Sequence, residues 1–155
     1  MGEEKEVSLE KCINYTKGVA LIAKNELLEP GTMYKLGRLS DYATSPVRNY
    51  EKVNRTEAIK VNDQIKSLHE KIRASKSDEE KFDLNEEIKK IKSEHHDKMT
   101  TLLENVEKVK IPSFKLSEFI AKADKPDKGI TTGQSLVPQE FFTLLGDIID
   151  DDKSK

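Results

Sequence analysis

The chain has 155 residues, a length that suits one domain or a compact unit with an extended arm. Charged residues make up 36% and hydrophobic residues 35%, a balance that favours long helices with solvated faces over a large core. A net charge of −2 excludes a global electrostatic footprint for nucleic acid, and the single cysteine excludes an intrachain disulfide.

Residues 1–7 are acidic, lack the layout of a signal peptide and are expected to fray. Ser8 is a plausible N-cap for a helix over 8–28, in which Leu9, Cys12, Ile13, Thr16, Val19, Ala20, Ala23 and Leu27 follow helical steps. Cys12 falls on that apolar stripe and reads as a buried small hydrophobe, with no histidine nearby to activate it. Glu29-Pro30-Gly31 is expected to end this helix, and a long helix over 32–74 follows, kinked or broken near Pro46.

Its distal part carries Val47, Tyr50, Asn54, Ala58, Val61, Ile65, Leu68 and Ile72 at alternating steps of three and four, close to a coiled-coil seam. Ala74 to Ser77 is a turn, with Ser77 as the cap of a returning helix over 78–108. Leu84, Ile88, Ile91, His95, Leu102 and Val106 supply the matching stripe. Residues 46–76 hold eight cations and four acids, a net of +4, whereas 78–108 hold ten acids and six lysines, a net of −4. Complementary charge across one antiparallel hairpin is the simplest explanation.

The period changes to two beyond the hairpin, so a small β element is predicted near 107–118, with short strands over 109–119 confined to an edge by Pro112. Lys122 to Gly133 reads as a mobile loop, and a last short helix is expected over 137–150, with 151–155 frayed. The fold class is mainly α: one domain over 1–155, an antiparallel coiled-coil-like helical hairpin, an N-terminal helix, the small β element and a short C-terminal helix. All five phenylalanines lie at 82 or beyond and all four tyrosines at 50 or before, so the second half reads as the packed one.

No motif supports catalysis, a cofactor or a metal. His95-His96 are adjacent and point about 100° apart on a helix, so they read as one seam and one solvated histidine. No phosphate-binding glycine loop and no Gly-x-Ser-x-Gly is present, and carboxylate pairs are too abundant to single out. The candidate partner-binding residues are Tyr34, Arg38, Tyr42, Arg48, Tyr50 and Arg55, because tyrosine and arginine are frequent interface anchors. Packing, a protein interface, and base stacking with phosphate contacts all compete to explain this segment. The tyrosines are spaced by eight and share a patch only if the chain bends near Pro46.

The run Ala43-Thr44-Ser45-Pro46-Val47-Arg48-Asn49-Tyr50-Glu51, the charged hairpin, Glu107 to Pro112, Leu116-Ser117-Glu118-Phe119 and Leu144 to Ile149 together resemble small helical-hairpin proteins of unknown function encoded by tailed phages and prophages. The likeness spans about 43–150 in pattern and order. It implies an accessory protein acting in the bacterial host cytoplasm and supplies no reaction. The expected function is therefore a non-enzymatic protein-binding module, with no membrane partner, that blocks a host defence protein by occupying its surface. A virion-assembly chaperone and a nucleic-acid binder using 34–55 are the alternatives, and a homo-oligomer is possible because two helices bury little apolar surface alone.

If the two stripes face each other, Leu68→Ala or Ile91→Ala costs about 2–4 kcal/mol in urea denaturation. A loss below about 0.5 kcal/mol would place the stripes in solvent.

Overall fold

In the computed structural model, which describes residues 3–150, the chain is mainly helical and divides into two compact units. The first comprises residues up to Val47 together with those from Val106 onward; the second is Arg48–Asn105.

The first unit opens on a strand, β1 (Glu3–Ser8), where fraying was expected. It pairs antiparallel with β2 (Val106–Ile111), setting Glu4 opposite Lys110 and Glu6 opposite Lys108 while Val7 turns into the core. Opposite-charge cross-strand pairs make an acidic segment a good edge partner for a basic one. Residues 1–2 and 151–155 lie outside the described part, so the expectation of a frayed tail does too.

Helix α1 (Leu9–Leu21) begins as read, with Ser8 Oγ accepting from the Lys11 N–H at 3.2 Å. It stops short of residue 28 because the Asn25 side chain captures the chain. Asn25 Oδ1 accepts from the Leu27 and Leu28 N–H groups at 2.7 and 3.1 Å, and its Nδ2 donates to the Leu136 carbonyl at 2.9 Å. Such local bonds compete directly with the helical ladder.

Helix α2 (Pro30–Ala74) starts two residues earlier than expected, with Pro30 at its first position, where the missing N–H costs nothing. Pro46 lies inside the helix and does not break it. Ser75 to Ser77 turn the chain, and Ser77 Oγ caps α3 (Asp78–Leu103) by accepting from the Glu80 N–H at 3.3 Å. That helix ends before 108 because Val106 onward is recruited into β2.

The remaining elements complete the first unit. A short strand β3 (Phe114–Lys115) pairs in parallel with β4 (Ile149–Asp150), so the segment expected to be helical through 150 ends as a strand. Helix α4 (Gln139–Leu145) is correspondingly short. The loop over 122–133 is laced by hydrogen bonds rather than free: Lys125 and Ile130 bridge, and Asp124 accepts from the Thr132 N–H and hydroxyl at 2.7 and 2.8 Å. Gly129 and Gly133 take the positive φ angles (68° and 88°) that its turns require.

Phe114, Phe119, Phe141 and Phe142 form an aromatic cluster of tilted and edge-on contacts, joined by Tyr15, Cys12, Ile22, Leu36, Leu39 and Leu145. Phe82 does not join any core and is 63% exposed. Cys12 is fully buried; burial first, then the charge of Glu107, pushes its thiol up to about 11, which leaves it un-ionised at neutral pH.

Gly18 sits where α1 meets α4. A Cβ at this position would overlap Leu145 Cδ1 and lie 3.3 Å from Leu145 Cγ, and Leu145 is fully buried and has no room to rotate away. Gly18→Ala is expected to cost about 1–2 kcal/mol net, overpacking outweighing the gain in helix propensity. In a Leu145→Ala background the same change becomes neutral or stabilising, a reversal that a double-mutant cycle in urea would read.

Candidate partner-binding surface

The six residues singled out in the sequence are divided between the two units. Tyr34, Arg38 and Tyr42 lie in the first; Arg48, Tyr50 and Arg55 lie in the second. Tyr42 is engaged in packing: Arg38 donates to its hydroxyl and lies over its ring at 5.0 Å, and Lys110 of β2 lies over the same ring at 5.7 Å. The Lys110 contact fastens α2 to the β1–β2 ribbon, so Tyr42 is engaged within the fold. Tyr34 is 68% exposed. Tyr50 is half-buried on the seam side of its helix, whereas Arg48 and Arg55 are exposed.

The first unit contains a cleft of about 270 Å³ lined by Thr32, Glu118, Ile120, Lys122, Lys125 and Ile130 among others. Its most organised charge is Glu118. One oxygen receives Lys35 Nζ at 2.6 Å and the Thr32 hydroxyl at 3.0 Å; the other receives the Lys115 N–H at 2.8 Å. Lys35 also donates to the Ser113 carbonyl at 2.7 Å and lies 5.1 Å from the Phe114 ring centre. Burial alone would raise the Glu118 carboxyl, but the bonds from Lys35, Lys115 and Thr32, with the charge of Lys35, outweigh it and hold it below the ordinary value. A carboxylate committed to three donors is a clamp between α2 and the β3 segment, poorly placed to take a proton from a substrate. A second clamp is Asp147, which accepts from the Tyr15 hydroxyl at 2.8 Å and from Lys11 at 3.1 Å.

The second unit is the hairpin. Glu57 lies across from Lys98, and Leu68 shares a groove with Glu87 and Ile91, which fixes the antiparallel register. Leu68, Ile88 and Met99 are buried in its seam, and His95 is half-buried there as read, with His96 exposed. Direct ion pairing between the arms is sparse. Among the described residues the ion pair that crosses between them is Glu57–Lys98 at 4.0 Å, which takes its acid from the basic arm and its cation from the acidic arm. Lys60 and Lys89 pair with Glu57 and Glu86 of their own helices.

Most charged side chains of both arms are exposed. On α2, Arg48, Lys52, Arg55 and Ile59 follow steps of four, three and four, so they form one stripe, and all four are exposed. Asn62, Lys66 and Arg73 continue it, also exposed. Ile59 (57% exposed) is an apolar residue set within cations, a feature missed in the sequence because it departs from the seam periodicity. Off-seam Ile59 and Phe82 were the available signal.

The molecule is thus a two-unit, mainly helical protein with a charged hairpin. No protein family, curated protein or solved structure matches the chain. Among the described residues no helix is long and apolar enough to cross a membrane.

Because the folded-state carboxyl of Glu118 is lowered, its contribution to stability is complete above the ordinary value of 4.5 and is lost as pH falls through the lowered one. Glu118→Gln is expected to cost about 1–3 kcal/mol at pH 7. In urea denaturation at a series of pH values, the gap from the parent protein should narrow only below the ordinary carboxyl value.

Proposed function

We propose that this chain is a non-enzymatic protein-binding module whose hairpin recognises an acidic, partly apolar protein surface through its α2 arm. The observation that carries the reading is the exposed stripe Arg48, Lys52, Arg55 and Ile59, whose cations are not paired across the hairpin. Arginine beside an exposed aliphatic is a combination suited to the centre of a protein interface. In the phage setting that the sequence resemblance implies, the module would act in the host cytoplasm by covering the surface of a host defence protein. Assembly of the virion is the other setting in which such a module would serve.

Interleaved acids favour a protein partner over nucleic acid. Glu51, Glu57 and Asp63 lie on the same arm as the cations, and phosphate tracking favours an uninterrupted positive track.

The test is capture from bacterial lysate, nuclease-treated and washed at high salt, with retained proteins identified by mass spectrometry. One protein in stoichiometric amount is expected to survive on the parent chain. Arg48→Ala with Arg55→Ala and Ile59→Asp should reduce its retention at least about tenfold, while Lys89→Ala with Lys92→Ala leaves it unchanged. Equal retention by all three chains would refute the stripe. Loss of all bound material to nuclease would replace the protein partner with nucleic acid.

A further inference from the structure

The hairpin's own two arms leave its apolar stripe half-covered: Val61, Ile65, Ile72, Leu84 and Ile91 remain only half-buried. The seam has two open flanks that differ in sign. One is a groove on α2 with Ile65 and Ile72 as its floor and Asn62, Lys66, His69 and Arg73 as its rim. The other lies between the arms, where Leu68 and Ile91 form the floor and Asp63, Gln64 and Glu87 stand beside it. Among the described residues, the first floor is thus edged by two cations and no carboxylate, the second by two carboxylates and no cation. Asp63 and Glu70 each follow a rim residue of the first groove by one position. That turns them about 100° further round α2, away from its floor.

We propose that the first groove is the seat of an acidic amphipathic helix of a partner protein, which lies along α2 as the third helix of a bundle. The inference rests on reading the α2 arm as a protein-binding surface and gives the partner segment its chemistry and its shape. Charge selects an acidic partner. No ion pair of the described residues engages Lys66 or Arg73, and both are exposed. Arg48, Lys52 and Arg55 continue their line upstream, exposed as well. An aliphatic ridge on the partner fills the floor, and carboxylates at its edges meet the rim cations, as edge charges do in paired helices.

Spacing selects a helix. Ala58, Ile65 and Ile72, all half-buried, recur every seven residues, and the exposed line from Arg48 through Ile59 to Arg73 alternates steps of four and three without a break. At about 1.5 Å of rise per residue, Ile65 and Ile72 stand roughly 10.5 Å apart along α2. A neighbouring helix presents a knob every two turns, at the same interval, and so stays in phase with the floor along its length. An extended segment presents its same-face side chains about 6.6 Å apart and falls out of phase at once. The opposite flank excludes the same ligand, because Asp63 and Glu87 would meet its carboxylates there.

The experiment measures binding of three labelled synthetic peptides to the full chain by fluorescence anisotropy, with helicity followed by circular dichroism. The first peptide has about four heptads, with leucine at the a and d positions and glutamate beside them. The second has the same composition with its leucines respaced to period two, and the third has lysine in place of glutamate. The first is expected to bind at least about tenfold more tightly than the others and to gain helicity on binding. Lys66→Glu with Arg73→Glu changes exposed side chains, so the fold should persist while that affinity falls about tenfold or more and preference turns to the lysine peptide. Glu87→Gln, on the opposite flank, should leave it unchanged. Equal binding of the first two peptides, both lost on charge reversal, overturns the helical occupant and keeps the acidic surface. So does failure of the first peptide to bind while the parent chain captures a stripe-dependent protein from lysate. Binding indifferent to charge reversal overturns the groove itself. A two-chain mass in light scattering that charge reversal abolishes replaces the partner helix with a second copy, and displacement of the first peptide by a single-stranded oligonucleotide replaces it with nucleic acid. Absence of both peptide binding and captured protein defeats the α2 arm as a protein-binding surface as well.

Discussion

With 35% of the residues hydrophobic and 36% charged, apolar surface cannot be buried evenly along this chain. The first unit takes the large share: Tyr15, Phe114, Phe119, Phe141, Leu36, Leu39 and Leu145 are essentially inaccessible there. The hairpin keeps a seam in which Leu68, Ile88 and Met99 are closed off and the rest are half-covered. Burial scales with the number of surfaces that can surround a side chain, and two helices supply few. This uneven division is what makes one unit a core and the other a surface.

The first unit compensates for its small size with polar fastenings at its margins. Glu118 joins α2 to the β3 segment, Asp147 is held by Tyr15 and Lys11 of α1, and Asn25 ties the α1–α2 connection to Leu136. Each uses a short polar side chain to satisfy donors or acceptors that an irregular segment leaves open. The same commitment removes these groups from chemistry. Glu118 has its oxygens engaged, the Tyr15 hydroxyl is raised well above its ordinary value by burial and by its bond to Asp147, and Cys12 is un-ionised at neutral pH. These perturbed titratable groups of the first unit are all tied into its fold by burial or hydrogen bonds.

The hairpin was legible in the sequence because its signal is local. A stripe at steps of three and four over 47–72, a serine-capped turn and a returning stripe are each read within a dozen residues. What was missed depends on contacts far apart in the chain. Glu3–Ser8 looks like a frayed acidic start until Val106–Ile111 is beside it, and nothing within either segment announces the other. The end of α1 at Leu21 turns on Asn25, a residue equally at home in a helix as in a turn. Tyr42 carried the right chemistry for an interface, but Lys110 reaches its ring from the sheet. Pro46 left a kink and a break as alternatives, and helix α2 runs on through it unbroken, as a single lost hydrogen bond allows in a long helix.

The stripe from Arg48 to Arg73 was obscured for a related reason. Seam periodicity draws attention to the residues that bury, and residues that function at a surface are those that depart from it. Ile59 on the basic arm and Phe82 on the acidic arm serve neither seam, and both are exposed in a chain that has few apolar residues to leave in solvent. Their neighbours differ in balance: Ile59 follows Lys52 and Arg55 on its stripe with Asp63 one turn further on, and Phe82 lies near Asp78, Glu79 and Glu86. An apolar residue beside charges of mostly one sign disfavours surfaces of the same charge, since desolvating like charges together costs more than the apolar contact returns. The composition around Ile59 therefore suits an acidic apolar surface better than a basic one.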